Sequence, residues 1–442
     1  MIPYMSRSVV YRTIVKKVAM RSTVLIASLW YARHAMGAPT PALIAPPAEF
    51  TPNTRVGPGG TNFKDSPHFR IYDAANNADS MIQTLESAYE CFVTGQGWRS
   101  TGLSFNSDND NGPWYKMNVY NVASLGANTA ANTGTDMNEG LSFLNVVTEW
   151  LTTPSITVHE YGHALTYAER YWIDQGRTGA WWETVANFVA DTFITSPICA
   201  DARSKYNQPS GDSLINLQKV IGDSHQVIVD GSANTGNYYE AWPFLSYVAN
   251  NPDNYEGLGM ANFPNVWLKY KRDSNETPLH VIERMAAPTR IQNVVGRYWA
   301  RMAYVDIGHA KARELFDRTK SQLNYANLDS QGSGRYKVKA SRQPKYMGAN
   351  IIPLEATGGS VSATVTASAP FTATLAVRSS DGAVRYVDLV DGQGQVDLGS
   401  GDEASLVVAN TPDTLYLYDP FSLTSEVSKG LDYQVQLTGA SV

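Results

Sequence analysis

Residues 157–165 read TVHEYGHAL, with two histidines four apart and a glutamate directly after the first. On a helix, positions i and i+4 share a face, so His159 and His163 can turn imidazole nitrogens toward one ion. Glu160 is rotated by about 100° from His159 and is badly placed to be a ligand beside it. It is well placed to act on a water at that ion. Two histidines to hold zinc, and a carboxylate to take a proton from water that zinc acidifies, make a hydrolytic centre with Glu160 as general base. The same residues also suit a core-facing helix whose histidines are hydrogen-bonded structurally, so a third ligand decides.

Two glutamates compete for that role. Glu169 lies ten residues after His159, a spacing that requires the helix to break, and Thr166 stands where a glycine is needed. An unbroken ALTYAERYW turns Glu169 to solvent. Glu183 lies in WWETVANFVAD, 20 residues after His163. Glu183, Asn187 and Asp191 fall at i, i+4 and i+8, a polar stripe on a helix otherwise built from residues such as Val185, Phe188 and Val189. A buried polar stripe needs partners, and a metal with its supporting shell supplies them. The expected ligand set for one zinc ion is therefore His159, His163 and Glu183.

Two helices must present these side chains. Thr153-Pro154 offers a cap with proline at the first helical position, so the first helix is expected from there to about Trp172. The second is expected over residues 181–194, after a Gly-containing loop. Upstream, HFRIYD (68–73) and YKMNVYNV (115–122) alternate like strands, and residues 79–92 have helical spacing. A small, polar stretch runs to about residue 138. Residues 212–324 look mostly helical. After about 345 the chain becomes Val/Thr-rich, alternating and punctuated by Asp-Gly turns, the texture of an antiparallel β-sandwich. The fold class is α+β. Its parts are a zinc-binding α+β lobe at 61–205, a mostly helical lobe at 206–344 and a β-sandwich without catalytic residues at 345–442.

The first 38 residues contain Arg7, Arg12, Lys16, Lys17, Arg21 and Arg33 and no acid, then the apolar run VLIASLWYA and small residues. That order describes a secretory signal peptide, and the run is too short to span a bilayer. Removing its six cations takes the net charge from −6 to −12. An acidic chain without basic clusters is a poor partner for nucleic acid or anionic lipid. Residues 39–60 are rich in Pro and Gly and suggest a linker. Cys91 and Cys199 are the only cysteines, and secretion allows them one bridge.

HEYGHAL with WWETVANFVAD, together with SPHFRIYD and YYEAWPFLSY, resembles the gluzincin clan of thermolysin-like zinc metallopeptidases. More closely, the chain is similar to the Svx/AvrXca-like family of secreted virulence and avirulence proteins. The resemblance spans roughly residues 60–330 and implies a thermolysin-like core, one zinc per chain on His159, His163 and Glu183, and Glu160 as base. It implies that Asn187, where thermolysin-like enzymes carry aspartate, orients a zinc histidine. It also implies a donor to the transition-state oxyanion, with Tyr239 and His225 as the alternatives. The expected protein is thus a secreted, monomeric, extracellular zinc peptidase acting on protein substrates, at a host or cell-wall surface. Two rivals stand beside it: a glycoprotein-directed peptidase, and a secreted effector or wall-binding protein whose zinc is structural or vestigial.

Overall fold

The strands expected at FRIY and MNVYNV form the centre of a five-stranded sheet in the structure, a computed structural model that describes residues 45–107, 109–126, 128–172 and 176–442. The proposed signal segment lies outside the described residues. The sheet contains β1 (Phe63–Asp65), β2 (Phe69–Tyr72), β3 (Met117–Val122), β4 (Ala131–Asp136) and β5 (Leu141–Val147) in the order β1-β2-β3-β5-β4. β2, β3 and β5 run parallel; β1 and β4 close the edges in antiparallel register, with Thr133 opposite Leu144. α1 (Ala78–Tyr89) makes the crossover from β2 to β3 and packs on β2. α2 (Pro154–Ala168), which carries the two histidines, packs on β5 and β4.

α3 (Trp181–Thr195) lies against α2 at unusually short range. The contact forms at Gly162, between the two histidines. A Cβ there would stand 2.8 Å from the Ala186 Cα and 3.2 Å from the Val189 Cβ. Glycine costs about 1 kcal/mol in a helix interior, and here it is required because nothing larger fits between the two backbones. Val158, Tyr161, Leu165, Val185, Phe188 and Val189 surround the contact, each 1 % exposed or less.

α2 ends four residues short of the expected Trp172. Arg99 closes it: its Nη1 donates to the Ala168 carbonyl at 2.6 Å, and its backbone N–H donates to Glu169 Oε1 at 2.8 Å. The next residue, Arg170, has φ 53°. Glu169 therefore does not point to solvent; it is 2 % exposed, folded back under the helix end. Burial pushes its carboxyl up to about 7, against the opposing pull of Arg99 and Arg170 and with some help from Asp110.

The remaining α-helices are α4 (Ala200–Lys205), α5 (Leu217–Val220), α6 (Pro243–Asn250), α7 (Asn265–Leu268), α8 (Pro278–Ala286), α9 (Ile291–Met302), α10 (Ala310–Thr319) and the short α11 (Ser425–Ser428). The C-terminal strands build two antiparallel sheets. One contains β8 (Ala349–Ala356), β10 (Thr372–Arg378), β11 (Val384–Asp388), β13 (Glu403–Ala409) and β15 (Ala440–Ser441). The other contains β6 (Leu328–Gly332), β7 (Arg335–Val338), β9 (Ser360–Ala367), β12 (Gln393–Asp397) and β14 (Tyr433–Thr438). Ile352, Leu375 and Leu406 face Val361, Val435 and Leu437 between them. The sandwich thus begins at Leu328, ahead of position 345. It is also not separate, because α9 lies across β10, β13 and β8, and Ile351, Ala376 and Val407 join the main core.

The fold is mixed α+β. Cys91, just past α1, is bonded to Cys199, just past α3, across 108 residues of chain. Residues 50–57 are no free linker: Phe50 and Val56 are 2 % exposed, and Asn118 Nδ2 donates to the carbonyls of Asn53 and Val56. Pro and Gly in that stretch shape a strap over the sheet, with Gly57 at φ 76° beneath the Tyr120 ring.

Gly162→Ala is expected to destabilise the protein by about 1–3 kcal/mol in urea unfolding, because overpacking two backbones outweighs the gain in helix propensity. Glu169 gives a pH dependence of definite sign. Its folded pKa of about 7 exceeds its ordinary 4.5, so the stability present below about pH 4.5 is lost as pH rises toward 7. Glu169→Gln should match the wild type near pH 4 and exceed it at pH 8, by up to roughly 3 kcal/mol, in denaturation measured across that range.

Candidate metal centre

His159 and His163 project from one face of α2, and Glu183 sits in the first turn of α3 opposite them. All three are buried. Glu183 Oε2 lies 3.2 Å from Nε2 of both histidines, whose rings stand edge to face with centroids 4.9 Å apart. Asn187, one turn along α3 from Glu183, defines the chemistry of this cluster. Its Nδ2 stands 2.6 Å from the Tyr239 carbonyl, which can only accept, and its Oδ1 stands 2.7 Å from His159 Nδ1. The amide oxygen must therefore accept from Nδ1–H, which leaves the lone pair of the neutral ring on Nε2.

That lone pair faces a carboxylate oxygen. Neither His159 Nε2 nor Glu183 Oε2 has a hydrogen-bond partner, although both are buried and 3.2 Å apart. Two buried acceptors in contact are unfavourable unless a proton or a metal ion lies between them. Four ligands held tetrahedrally at roughly 2.0–2.1 Å from one ion stand about 3.3 Å from one another, close to the spacing here. The donor set and its spacing fit a divalent cation such as zinc.

Glu160 is not part of the cluster. It is 4 % exposed, and its charge is felt at His163 and Tyr239. The Thr133 hydroxyl, on edge strand β4, lies 2.7 Å from its Oε2 and 2.8 Å from its backbone oxygen. Nothing in the polar stretch 123–138 suggested this partner, because neither a strand nor a hydroxyl contact is visible in ANTGTD.

Tyr239 belongs to the site: its ring stacks on His159 with centroids 6.3 Å apart. Burial pushes its hydroxyl far above the usual range, and the Glu183 carboxylate reinforces this. His225 does not belong to it. It sits among Asp223, Arg342 and Lys345, where burial and the nearby cations push it down to about 4. The polar stripe also divides. Asp191, fully buried, accepts from His309 Nε2 at 2.5 Å, Ser213 and the Leu214 N–H. His309 Nδ1 in turn accepts the Ala312 N–H at the start of α10, so this histidine–carboxylate pair joins helices.

The sequence profile described as Family of unknown function (DUF6055) matches residues 59–383. The chain belongs to that family. Among curated proteins no match was found. The DUF6055 match takes in the first sheet, both helices of the candidate centre and Tyr239, so every residue of the constellation lies inside it.

Wild-type protein is expected to bind one zinc ion by elemental analysis. Asn187→Ala should weaken binding about 10–100-fold in chelator competition, by releasing the His159 tautomer. Glu183→Ala should abolish stoichiometric binding; full occupancy in that variant would remove Glu183 from the ligand set.

Proposed function

We propose that the protein is a secreted zinc metallopeptidase of the gluzincin type, with a thermolysin-like core resembling the Svx/AvrXca-like family. One observation carries the reading: the histidine lone pair and the glutamate oxygen converge without a hydrogen on either, next to a second glutamate that has no place among the ligands. A purely structural ion has no use for Glu160. The disulfide supports secretion, since such bonds persist in oxidising compartments. Among the described residues no helix is long and apolar enough to cross a membrane.

Zinc held by His159, His163 and Glu183 would supply Lewis acidity, lowering the pKa of a water and polarising a peptide carbonyl. The chain's own groups do the rest. Thr133 holds Glu160 Oε2, leaving Oε1 to take a proton from the attacking water. The single hydroxyl proton of Thr133 serves both states of that base. It donates to Oε2 when Glu160 is ionised and can still do so when Oε1 carries the proton, since Oε2 remains an acceptor in both states, with the Glu160 backbone oxygen as its second acceptor. Glu160 then gives the proton to the departing amine nitrogen. Tyr239, kept neutral by burial, remains a hydroxyl donor toward negative charge developing on the carbonyl oxygen. β4 is a sheet edge, so its free backbone groups offer an extended peptide a strand to pair with beside Glu160.

The test is Glu160→Gln, which keeps the shape and removes the base. Hydrolysis of a peptide library, followed by mass spectrometry, should fall by at least about 10²–10⁴-fold. Zinc content and melting temperature should stay at wild-type values, since Glu160 is not a ligand. Chelator should abolish wild-type cleavage. Undiminished, zinc-dependent hydrolysis by the variant would remove Glu160 from the mechanism.

A further inference from the structure

The loop between β13 and β14 leaves the sandwich and reaches the loop that carries Tyr239. Tyr418 is buried and its hydroxyl donates to the Val229 carbonyl at 3.2 Å; the Gly231 N–H donates to the Pro420 carbonyl at 2.9 Å. The Phe421 ring lies on two glycines at once. A Cβ on Gly231 would meet it at 2.5 Å, and one on Gly179 at 3.3 Å. Gly179 lies four residues before Glu183, and Gly231 lies eight before Tyr239. Phe421 thus bridges the two segments that deliver a metal-ligand candidate and the candidate oxyanion donor.

The ring also extends an aromatic row. Phe421 stands edge to face with Tyr238 at 5.6 Å, Tyr238 lies 4.6 Å from Tyr239, and Tyr239 stacks on His159 at 6.3 Å. Along the row burial decreases: His159 is fully buried, both tyrosines are intermediate, and Phe421 is 54 % exposed. A phenylalanine fixed by glycine contacts on one side and open to solvent on the other is pre-ordered for an apolar partner, with little side-chain freedom left to lose. It stands within about five residues of extended chain from the His159 ring, at roughly 3.3 Å per residue.

The geometry points to Phe421 as a specificity-determining residue, contributed by the C-terminal sandwich, whose exposed ring face receives an aromatic side chain of the bound peptide. This rests on the peptidase reading. The peptide's backbone is held at the metal and at β4, and one side chain a few residues from the cleaved bond lies on the ring. A buttressing role alone would instead affect every peptide alike.

The probes are blocked Ala/Ser decapeptides carrying one phenylalanine at successive positions, with the all-Ala/Ser peptide as reference. Wild-type zinc protein should favour phenylalanine at one position by about tenfold in kcat/KM, and Phe421→Ala should erase that ratio. Phe421→Lys, a polar change at an exposed site, should move the preference at the same position toward glutamate. Across the same peptide series, binding to Glu160→Gln protein, read by fluorescence anisotropy, should be tightest with phenylalanine at one position, and that affinity should weaken about tenfold when Phe421→Ala is added. Cleavage by wild type with the same ratio in both Phe421 variants would overturn this assignment and leave the peptidase reading standing. No cleavage of any peptide by zinc-loaded wild type would count against the peptidase reading instead. The binding comparison still decides Phe421 then, since equal affinities with and without its ring would overturn it.

Discussion

The approach of α2 to α3 at Gly162 sets the geometry on which the candidate centre depends. Residues flanking that contact on α2 are the two histidines, and Glu183 lies one turn from Ala186 on α3. A wider helix separation would pull the carboxylate off the imidazoles and leave three buried polar groups with no common focus. Close packing of small residues here is therefore an electrostatic requirement as well as a steric one. It places charges that the interior would otherwise reject.

Asn187 shows how the buried cluster is kept chemically defined. An aspartate at this position could accept from His159 Nδ1 but would turn an oxygen toward the Tyr239 carbonyl, one acceptor against another. The amide satisfies both partners, 2.7 Å from the histidine and 2.6 Å from the carbonyl. One side chain thus fixes a tautomer on α2 and the position of a loop some 50 residues downstream. The choice of an amide over a carboxylate here has a local physical reason, and it keeps one negative charge out of the surroundings of Glu183.

Much of the α2–α3 pair was legible in the sequence, because HEYGH and the Glu183/Asn187 stripe are local patterns with a helical period. What was illegible arises from contacts distant in sequence. The strand ANTGTD is short, polar and interrupted by Gly134; it exists because β5 pairs with it, and its value to Glu160 comes from one hydroxyl. Glu169 was expected at the surface because an unbroken helix would place it there. A backbone N–H and guanidinium from Arg99, 70 residues away, turn it inward. Residues 50–57 have linker composition, yet Phe50, Val56 and two carbonyls held by Asn118 fasten them to the sheet. Composition reports average solvation, and these few contacts override it.

The sandwich poses a related problem, because its alternating strands describe a unit able to fold around its own two-sheet core. Its outer face says otherwise: Ile351, Ala376 and Val407 are buried against α9, so the two halves share apolar surface that neither could leave in water. The loop with Tyr239 is gripped from both sides, by Thr184 and Asn187 of α3 and by Tyr418 and Pro420 of the sandwich. A loop so held loses little further entropy when a ligand settles against it. Fusing a β-module to a helical lobe thereby orders the side of the centre that α2 and α3 leave uncovered, a task that the helix pair, already committed to the ligands, has no remaining surface to perform.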